Sequence, residues 1–258
     1  RRARRASLLP GGTRASGVVI AAPDAWAIPL RVGGLVPFTA TDYPGALAAV
    51  IFCQGCPWRC GYCHNPHLVP AAGDDERDFG SLVEWLAQRR GLLDAVVFSG
   101  GEPTAQAALP GAIAAVRDLG FAIGLHTGGA YPRRLDKVLR GVDWIGLDVK
   151  APFAEYATVT GIVGSGRAAL ASLDLILAAG VAHEVRTTVH PALTPPATME
   201  RLAHELAARG IERWVLQPFR PAGCTSDSLV ATAAMAPVLD RGVVERLARH
   251  IPVIEVRA

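Results

Sequence analysis

One short stretch constrains this chain more than any other: Cys53-Gln54-Gly55-Cys56-Pro57-Trp58-Arg59-Cys60-Gly61-Tyr62-Cys63-His64-Asn65-Pro66. It gathers four of the five cysteines into eleven residues. Free cysteines used as core filler are scattered small hydrophobes, so such crowding points to a soft metal or a metal–sulfur centre. Structural zinc sites usually set two Cys-x-x-Cys knuckles roughly 12–20 residues apart. Here three residues separate the two pairs, which suits thiolates wrapped around one iron–sulfur cubane better than two independent knuckles. An apolar run at 47–52 leads straight into the stretch, so the cysteine loop leaves the end of a buried strand.

At 258 residues the chain has room for one sizeable α/β core. Half of it is hydrophobic, yet no apolar run approaches the ~18–20 residues of a membrane span, so no membrane role is expected. The formal charge of +3 is misleading. Arg1, Arg2, Arg4, Arg5 and Arg14 against Asp24 put +4 into the first thirty residues, leaving the rest near −1. A nucleic-acid-binding body is therefore not expected. Residues 1–30 read as a disordered or over-extended start, because the apolar stretch 17–22 is too short for the core of a signal peptide. A single domain is then expected over 31–258. Clustered rather than dispersed cysteines favour the reducing cytoplasm over a disulfide scaffold. Cys224 stands alone and reads as a spectator thiol.

After an irregular or hairpin-like lead-in at 33–43, strand and helix patterns alternate. Short apolar runs at 47–52, 95–98, 121–125, 144–150, 183–190 and 213–219 predict six strands. Helical spacing predicts helices over 79–90, 106–119, 132–140, 166–179, 198–209 and 238–250, with a possible terminal strand at 252–256. Six βα units in order imply parallel strands with right-handed crossovers. Six is short of the eight of a closed barrel, so the expectation is an α/β fold, an open partial (β/α)6 barrel of parallel strands.

Chemistry in such folds collects on loops after the C-terminal ends of the strands. The run at 95–98 leads into Ser99-Gly100-Gly101-Glu102-Pro103, where paired glycines admit close backbone approach and a Glu can accept from an ammonium, though Gly/Pro loops are also ordinary turns. In 144–150, Ile145, Leu147 and Val149 alternate with Gly146, Asp148 and Lys150, so the polar set faces the barrel interior. Lys150 is one of only two lysines, and it reads either as half of an internal pair with Asp148 or as a ligand contact. The next strand puts Arg186 on the same face as Glu184, Thr188 and His190. Arg186 is a candidate carboxylate or partner contact. His190 is a ligand contact or a plain loop residue, and Gln217 an adenine or ribose contact or a satisfied loop amide.

The sub-pattern Cys56-x3-Cys60-x2-Cys63, with Tyr62 before the last cysteine, resembles the signature of the radical S-adenosylmethionine (radical SAM) enzymes. Within that superfamily, Thr41-Asp42-Tyr43-Pro44-Gly45, Tyr62-Cys63-His64-Asn65-Pro66, Gly100-Gly101-Glu102-Pro103, Leu147-Asp148-Val149-Lys150 and Leu216-Gln217-Pro218-Phe219-Arg220-Pro221 resemble the glycyl-radical-enzyme activases, and among them the activating proteins of anaerobic ribonucleoside-triphosphate reductase. His126-Thr127-Gly128-Gly129 departs from the Asp-Thr-Asn-Gly-like segment often found there.

The resemblance implies a [4Fe–4S] cluster held by Cys56, Cys60 and Cys63, with the fourth iron left for the amino and carboxylate groups of SAM. It implies SAM contacts from Tyr62, Gly100, Gly101, Glu102, Thr127, Asp148, Lys150, Arg186 and Gln217, and no catalytic residue beyond cluster and SAM. It further implies a glycyl radical enzyme as partner and a flavodoxin- or ferredoxin-type electron donor. A radical SAM enzyme acting on a small molecule, of the carboxy-deazaguanine synthase kind, is the neighbouring alternative. A non-catalytic electron carrier, with all four clustered cysteines on iron, is the more distant one.

Overall fold

The computed structural model describes residues 29–233 and 239–257. The arginine-rich start read as disordered lies outside them but for its last two residues, and Leu30 is already packed in the core.

Eight strands form one sheet in chain order: β1 (Val32–Thr39), β2 (Ala48–Cys53), β3 (Ala95–Gly100), β4 (Ala122–Thr127), β5 (Trp144–Asp148), β6 (Ala182–Val189), β7 (Arg213–Pro218) and β8 (Val253–Val256). From β2 to β8 every neighbouring pair is parallel. The sheet does not close: β1 and β8 are its edges. The expected open α/β barrel is therefore present, with β2 to β7 as its six units. The lead-in is β1, which pairs antiparallel with β2 as a hairpin.

The connecting helices are α1 (Phe79–Ala87), α2 (Leu109–Asp118), α3 (Pro132–Val138), α4 (Ala157–Thr160), α5 (Ser165–Ala179), α6 (Pro196–Ala207), α7 (Asp227–Ala233) and α8 (Arg241–Leu247). Asp78 and Asp240 cap α1 and α8, accepting from Ser81 N at 2.6 Å and Val243 N at 2.7 Å. The helix expected from 238 thus begins at Arg241, and α4 and α7 carry too few residues for a periodic signal. Among the described residues no helix is long and apolar enough to cross a membrane.

Strand alternation builds the layers. Ala49, Ile51, Val96, Phe98, Ile123, Leu125, Ile145, Leu147 and Val149 point to the helices and make the main core. Ala48, Val50, Ala95 and Val97 point the other way, and Tyr43 with Phe52 covers them. On this second face Tyr43 lies against Trp144, ring centroids 5.7 Å apart, so the loop before β2 fills the interior. β5 stops at Asp148, two residues sooner than its pattern predicts, because the Tyr156 hydroxyl takes over the backbone there. That hydroxyl accepts from Lys150 N at 3.1 Å and donates to the Asp148 carbonyl at 3.2 Å.

Candidate functional site

The cysteine loop leaves β2 at the end of the sheet where the parallel strands finish, and backbone bonds pin it on three sides. Gly55 N donates to Leu68 O at 2.8 Å, Cys56 N to Val69 O at 3.0 Å, and Arg59 N to Thr160 O at 2.9 Å. Cys63 N closes a turn onto Cys60 O at 3.0 Å. The Gln54 amide adds bonds to the His67 and Pro70 carbonyls. Cys53 is fully buried in the helix-side core, whereas Cys56, Cys60 and Cys63 are only partly buried.

Gly100 and Gly101 are demanded by this loop. Gly100 has φ +115°, and a Cβ there would lie 2.4 Å from Cys53 N. A Cβ on Gly101 would lie 2.5 Å from the Gly55 carbonyl. The two segments are bonded through Gly101 N to Cys53 O and Glu102 N to Gly55 O, each 2.9 Å.

Glu102 is 2% exposed and ties β3 to β4. Its Oε1 accepts from Thr104 N (3.1 Å), Thr104 Oγ1 (2.5 Å) and Thr127 Oγ1 (2.7 Å), and its Oε2 accepts from Gly128 N (2.9 Å). Burial pushes its pKa up against these bonds. Oε1 is saturated, and Oε2 keeps capacity for a further donor.

A second cluster joins β4, β5 and β6. Arg186 Nε donates to Asp148 Oδ1 at 2.9 Å, and Nη2 lies 2.9 Å from the same oxygen. Lys150 Nζ stands 3.8 Å from Asp148 Oδ2. Burial works against the charge of Asp148, but Arg186 and then Lys150 outweigh it and hold the carboxyl below its ordinary value. The guanidinium passes over Gly146, where a Cβ would meet Cζ and Nη1 at 2.8 Å. His126 Nε2 lies 2.9 Å from the Asp42 carbonyl and 3.2 Å from Arg186 Nη1. Burial, then Arg186, lowers its pKa to about 3, so the ring is neutral.

Lys150 also meets the cysteine loop. Its Nζ is 5.9 Å from the Trp58 ring centroid and 5.7 Å from that of Tyr62. Among the described residues the buried Tyr62 hydroxyl has no standard hydrogen-bond partner and faces the Lys150 ammonium. Burial works against the Lys150 ammonium, yet Tyr62 and then Asp148 keep its pKa above the ordinary lysine value. Trp58 and Tyr156, 5.7 Å apart edge to face, complete the wall. Sequence reasoning passed over both, although Trp58 lies inside the cysteine motif.

The expected residues thus fall into two joined groups: Tyr62, Asp148, Lys150 and Arg186 with His126 and Trp58, and Gly100, Gly101, Glu102 and Thr127 beside the cysteines. Gln217, the penultimate residue of β7, is in register with Thr188, and among the described residues its side chain has no hydrogen-bond partner. His190 is fully buried and satisfied: Nδ1 accepts from Ala192 N at 3.1 Å and Nε2 donates to Leu229 O at 2.9 Å. It therefore anchors α7. Cys224 donates from Sγ to Gly61 O at 3.5 Å, against the cysteine loop.

The donor set fits a soft cluster. Burial pushes the Cys56 thiol up to about 12 and raises Cys60 as well, so neither is a thiolate until a cation arrives to hold it. Among the described residues no three His, Cys, Asp or Glu converge where one metal ion could hold them all. Thiolates that each take a different iron of a cubane need no such point.

Residues 50–206 match the radical SAM superfamily model. A Methanocaldococcus jannaschii protein named as a glycyl-radical enzyme activating enzyme is 30% identical over 74% of this chain and 80% of its own length. The pyruvate formate-lyase-activating enzyme of Clostridium pasteurianum is 28% identical over 75% and 83%. The crystal structure of Streptococcus suis SuiB bound to precursor peptide SuiA superposes with a TM-score of 0.61 at 12% identity, over 81% of this chain and 48% of that one. This chain spans about half the length of SuiB, and the likeness speaks for the fold alone. The chain belongs to the radical SAM superfamily, whose enzymes work with a [4Fe–4S] cluster and S-adenosylmethionine.

Proposed function

We propose that this enzyme is a glycyl-radical-enzyme activase acting in the cytoplasm on an anaerobic ribonucleoside-triphosphate reductase, with a flavodoxin- or ferredoxin-type protein as electron donor. The observation that carries the reading is the meeting of the cysteine loop with Lys150, Asp148 and Tyr62 at one end of the sheet. Similarity to proteins named as activating enzymes over about three quarters of the chain supports the reaction class. The Thr41–Gly45 and Leu216–Pro221 motifs support the choice of reductase.

When bound, a [4Fe–4S] cluster would supply the single electron needed to part the C–S bond of SAM, giving methionine and a 5′-deoxyadenosyl radical able to take hydrogen from a glycine Cα. The protein's own part is to bind, orient and keep water out. Cys56, Cys60 and Cys63 would hold the irons. The Gly100-Gly101-Glu102 segment receives the amino group, with Glu102 Oε2 as the oxygen still able to accept. Lys150, whose ammonium stands 3.8 Å from its counter-ion, offers its donors to a carboxylate. Thr127 steadies Glu102, Arg186 steadies Asp148, and Gln217 is free to meet adenine or ribose. Trp58, Tyr62 and Tyr156 are buried beside Lys150 and shield it from solvent.

The test is anaerobic reconstitution followed by reduction in the presence of SAM. Slow 5′-deoxyadenosine formation is expected from the protein alone. Adding the anaerobic reductase should give a glycyl radical doublet in electron paramagnetic resonance. Many turnovers of a small molecule with no protein radical would reject the activase reading.

A further inference from the structure

Val163 is the most exposed large apolar side chain among the described residues, at 93%. It lies in the turn from α4 to α5, between two glycines in the left-handed region, Gly161 at φ +69° and Gly164 at φ +80°. That turn is bonded to the cysteine loop. Arg59 N donates to Thr160 O at 2.9 Å, and a Cβ on Gly161 would sit 3.8 Å from the Cβ of Arg59. Arg59 immediately precedes Cys60 and is exposed. Beyond Val163, Arg167 is also exposed, and its Nη2 reaches back to 3.5 Å from a Cβ placed on Gly164. An exposed aliphatic side chain thus stands on a turn that meets the backbone of Arg59 at Gly161 and the side chain of Arg167 at Gly164, fixed against the loop that carries the cysteines.

Neither arginine is in an ion pair among the described residues. The acids nearby are already matched: Glu155 is held by both arms of Arg201 at 2.8 Å, and Asp148 by Arg186. Arg167 lies in the first turn of α5, which carries no acidic residue. A cation at that end of a helix opposes the macrodipole and costs stability, so folding does not account for it. The chain beyond its first thirty residues has a charge near −1, which makes this positive face a local feature.

We infer that Arg59, Val163 and Arg167 form the docking surface for an acidic one-electron carrier protein. The inference rests on the reading that the adjoining loop holds a redox-active cluster. One electron leaves the carrier, which is oxidised by one equivalent, and is consumed in cleaving the C–S bond of SAM; no bond forms or breaks at the docking face itself. Electron-transfer encounters are small, transient and steered by charge, and a single apolar contact ringed by unpaired cations suits them better than a large obligate interface. The glycine-bearing partner is a different occupant, and the experiment separates the two.

The test measures binding of oxidised flavodoxin to the reconstituted enzyme by calorimetry, at low and high salt. Arg59→Glu and Arg167→Glu should each weaken binding about 3- to 10-fold at low salt, the double variant more, and the salt dependence should flatten. Val163→Asp should weaken binding by a similar factor. All four variants should keep four irons and dithionite-driven 5′-deoxyadenosine formation, since the chemical reductant needs no docking. Unchanged flavodoxin affinity in the double variant overturns the inference. So does a loss that falls on binding of the glycyl radical enzyme while flavodoxin binding stays intact. Wild-type protein that makes no 5′-deoxyadenosine with dithionite would instead remove the functional reading beneath it.

Discussion

Arg186 grips a single oxygen of Asp148: both Nε and Nη2 lie 2.9 Å from Oδ1, while among the described residues Oδ2 faces Lys150 Nζ 3.8 Å away. One face of the carboxylate is thus fixed by Arg186 while the other lies beside the Lys150 ammonium at longer range. Removing Arg186 strips Oδ1 of its donors. A fully buried pair broken this way costs ~3–5 kcal/mol, but the Asp148 side chain is 38% exposed, so Arg186→Met should cost about 1–3 kcal/mol. Asp148→Asn in the Arg186→Met background should recover most of that in anaerobic thermal melts. Strictly additive losses would show that the two side chains do not act as a pair.

Gly146→Ala probes the same contact without touching a charge. The new Cβ would stand 2.8 Å from Arg186 Cζ and Nη1, the far end of a flexible side chain, so the guanidinium yields before the backbone does. The variant should fold with a loss of only about 1 kcal/mol. It should nevertheless weaken SAM binding in the same direction as Arg186→Met, because Asp148 loses its anchor in both. SAM affinity equal to wild type in Gly146→Ala would mean that the position of Arg186 is irrelevant to the pocket.

Much of this was readable in advance. Strand period two put Asp148, Lys150 and Arg186 on the inner face, and the structure joins the three there. The open sheet followed from counting βα units. What the sequence hid were effects of contact rather than pattern. Gly100 and Gly101 look like ligand-cradle glycines, but it is the backbone at Cys53 and Gly55 that excludes a Cβ from them. Glu102 looks like a free acceptor, yet Thr104, Thr127 and Gly128 already occupy most of it. β5 ended early because a phenol six residues past Lys150 displaced its backbone partner. His190 proved to hold Leu229, through a segment too short and polar to advertise a helix.

His126 gives the fold a pH dependence whose sign can be worked out. Its pKa falls from 6.5 to about 3, first through burial and then through Arg186. Between those values the unfolded chain binds a proton that the folded one refuses, so stability is unaffected above pH 6.5 and declines as pH falls below it. The limit is ~1.4 kcal/mol per pH unit, and partial exposure of the ring reduces that to about 1. Asp148 acts in a lower window, since the stability from its depressed pKa is retained above the ordinary value of 3.8 and lost only as pH drops through the folded value. His126→Gln should therefore narrow the gap in melting temperature between pH 7 and pH 5. Parallel curves for wild type and variant would place the histidine's protonation outside the folding equilibrium.

Lys150→Met separates pocket from cluster. The ammonium lies within 6 Å of the Trp58 and Tyr62 rings and 3.8 Å from Asp148, so it touches the cysteine loop without being needed to hold it. A near-isosteric thioether keeps the packing and removes only the charge. SAM affinity should fall by roughly 2–5 kcal/mol in binding terms if Lys150 meets the SAM carboxylate. Iron content and the visible spectrum should not change. Intact SAM affinity would return Lys150 to a purely structural pair with Asp148.

The fully buried Cys53 makes the sharpest test of which thiols hold iron. It belongs to β2, in register with Val32 on one side and Gly100 on the other, and its side chain packs in the helix-side core. Burial raises its pKa and the nearby Glu102 raises it further, but both also raise Cys56, so it is the strand position and complete burial that set Cys53 apart. Cys56, Cys60 and Cys63 sit beyond the strand in the loop itself and are partly accessible. Cys53→Ala should leave a small cavity costing about 1 kcal/mol and should still take up four irons on anaerobic reconstitution. Cys60→Ala should lose the iron, the visible absorption and 5′-deoxyadenosine formation together. Iron lost from Cys53→Ala at a melting temperature near wild type would make Cys53 a ligand and return the chain to the electron-carrier reading, in which no iron is left for SAM.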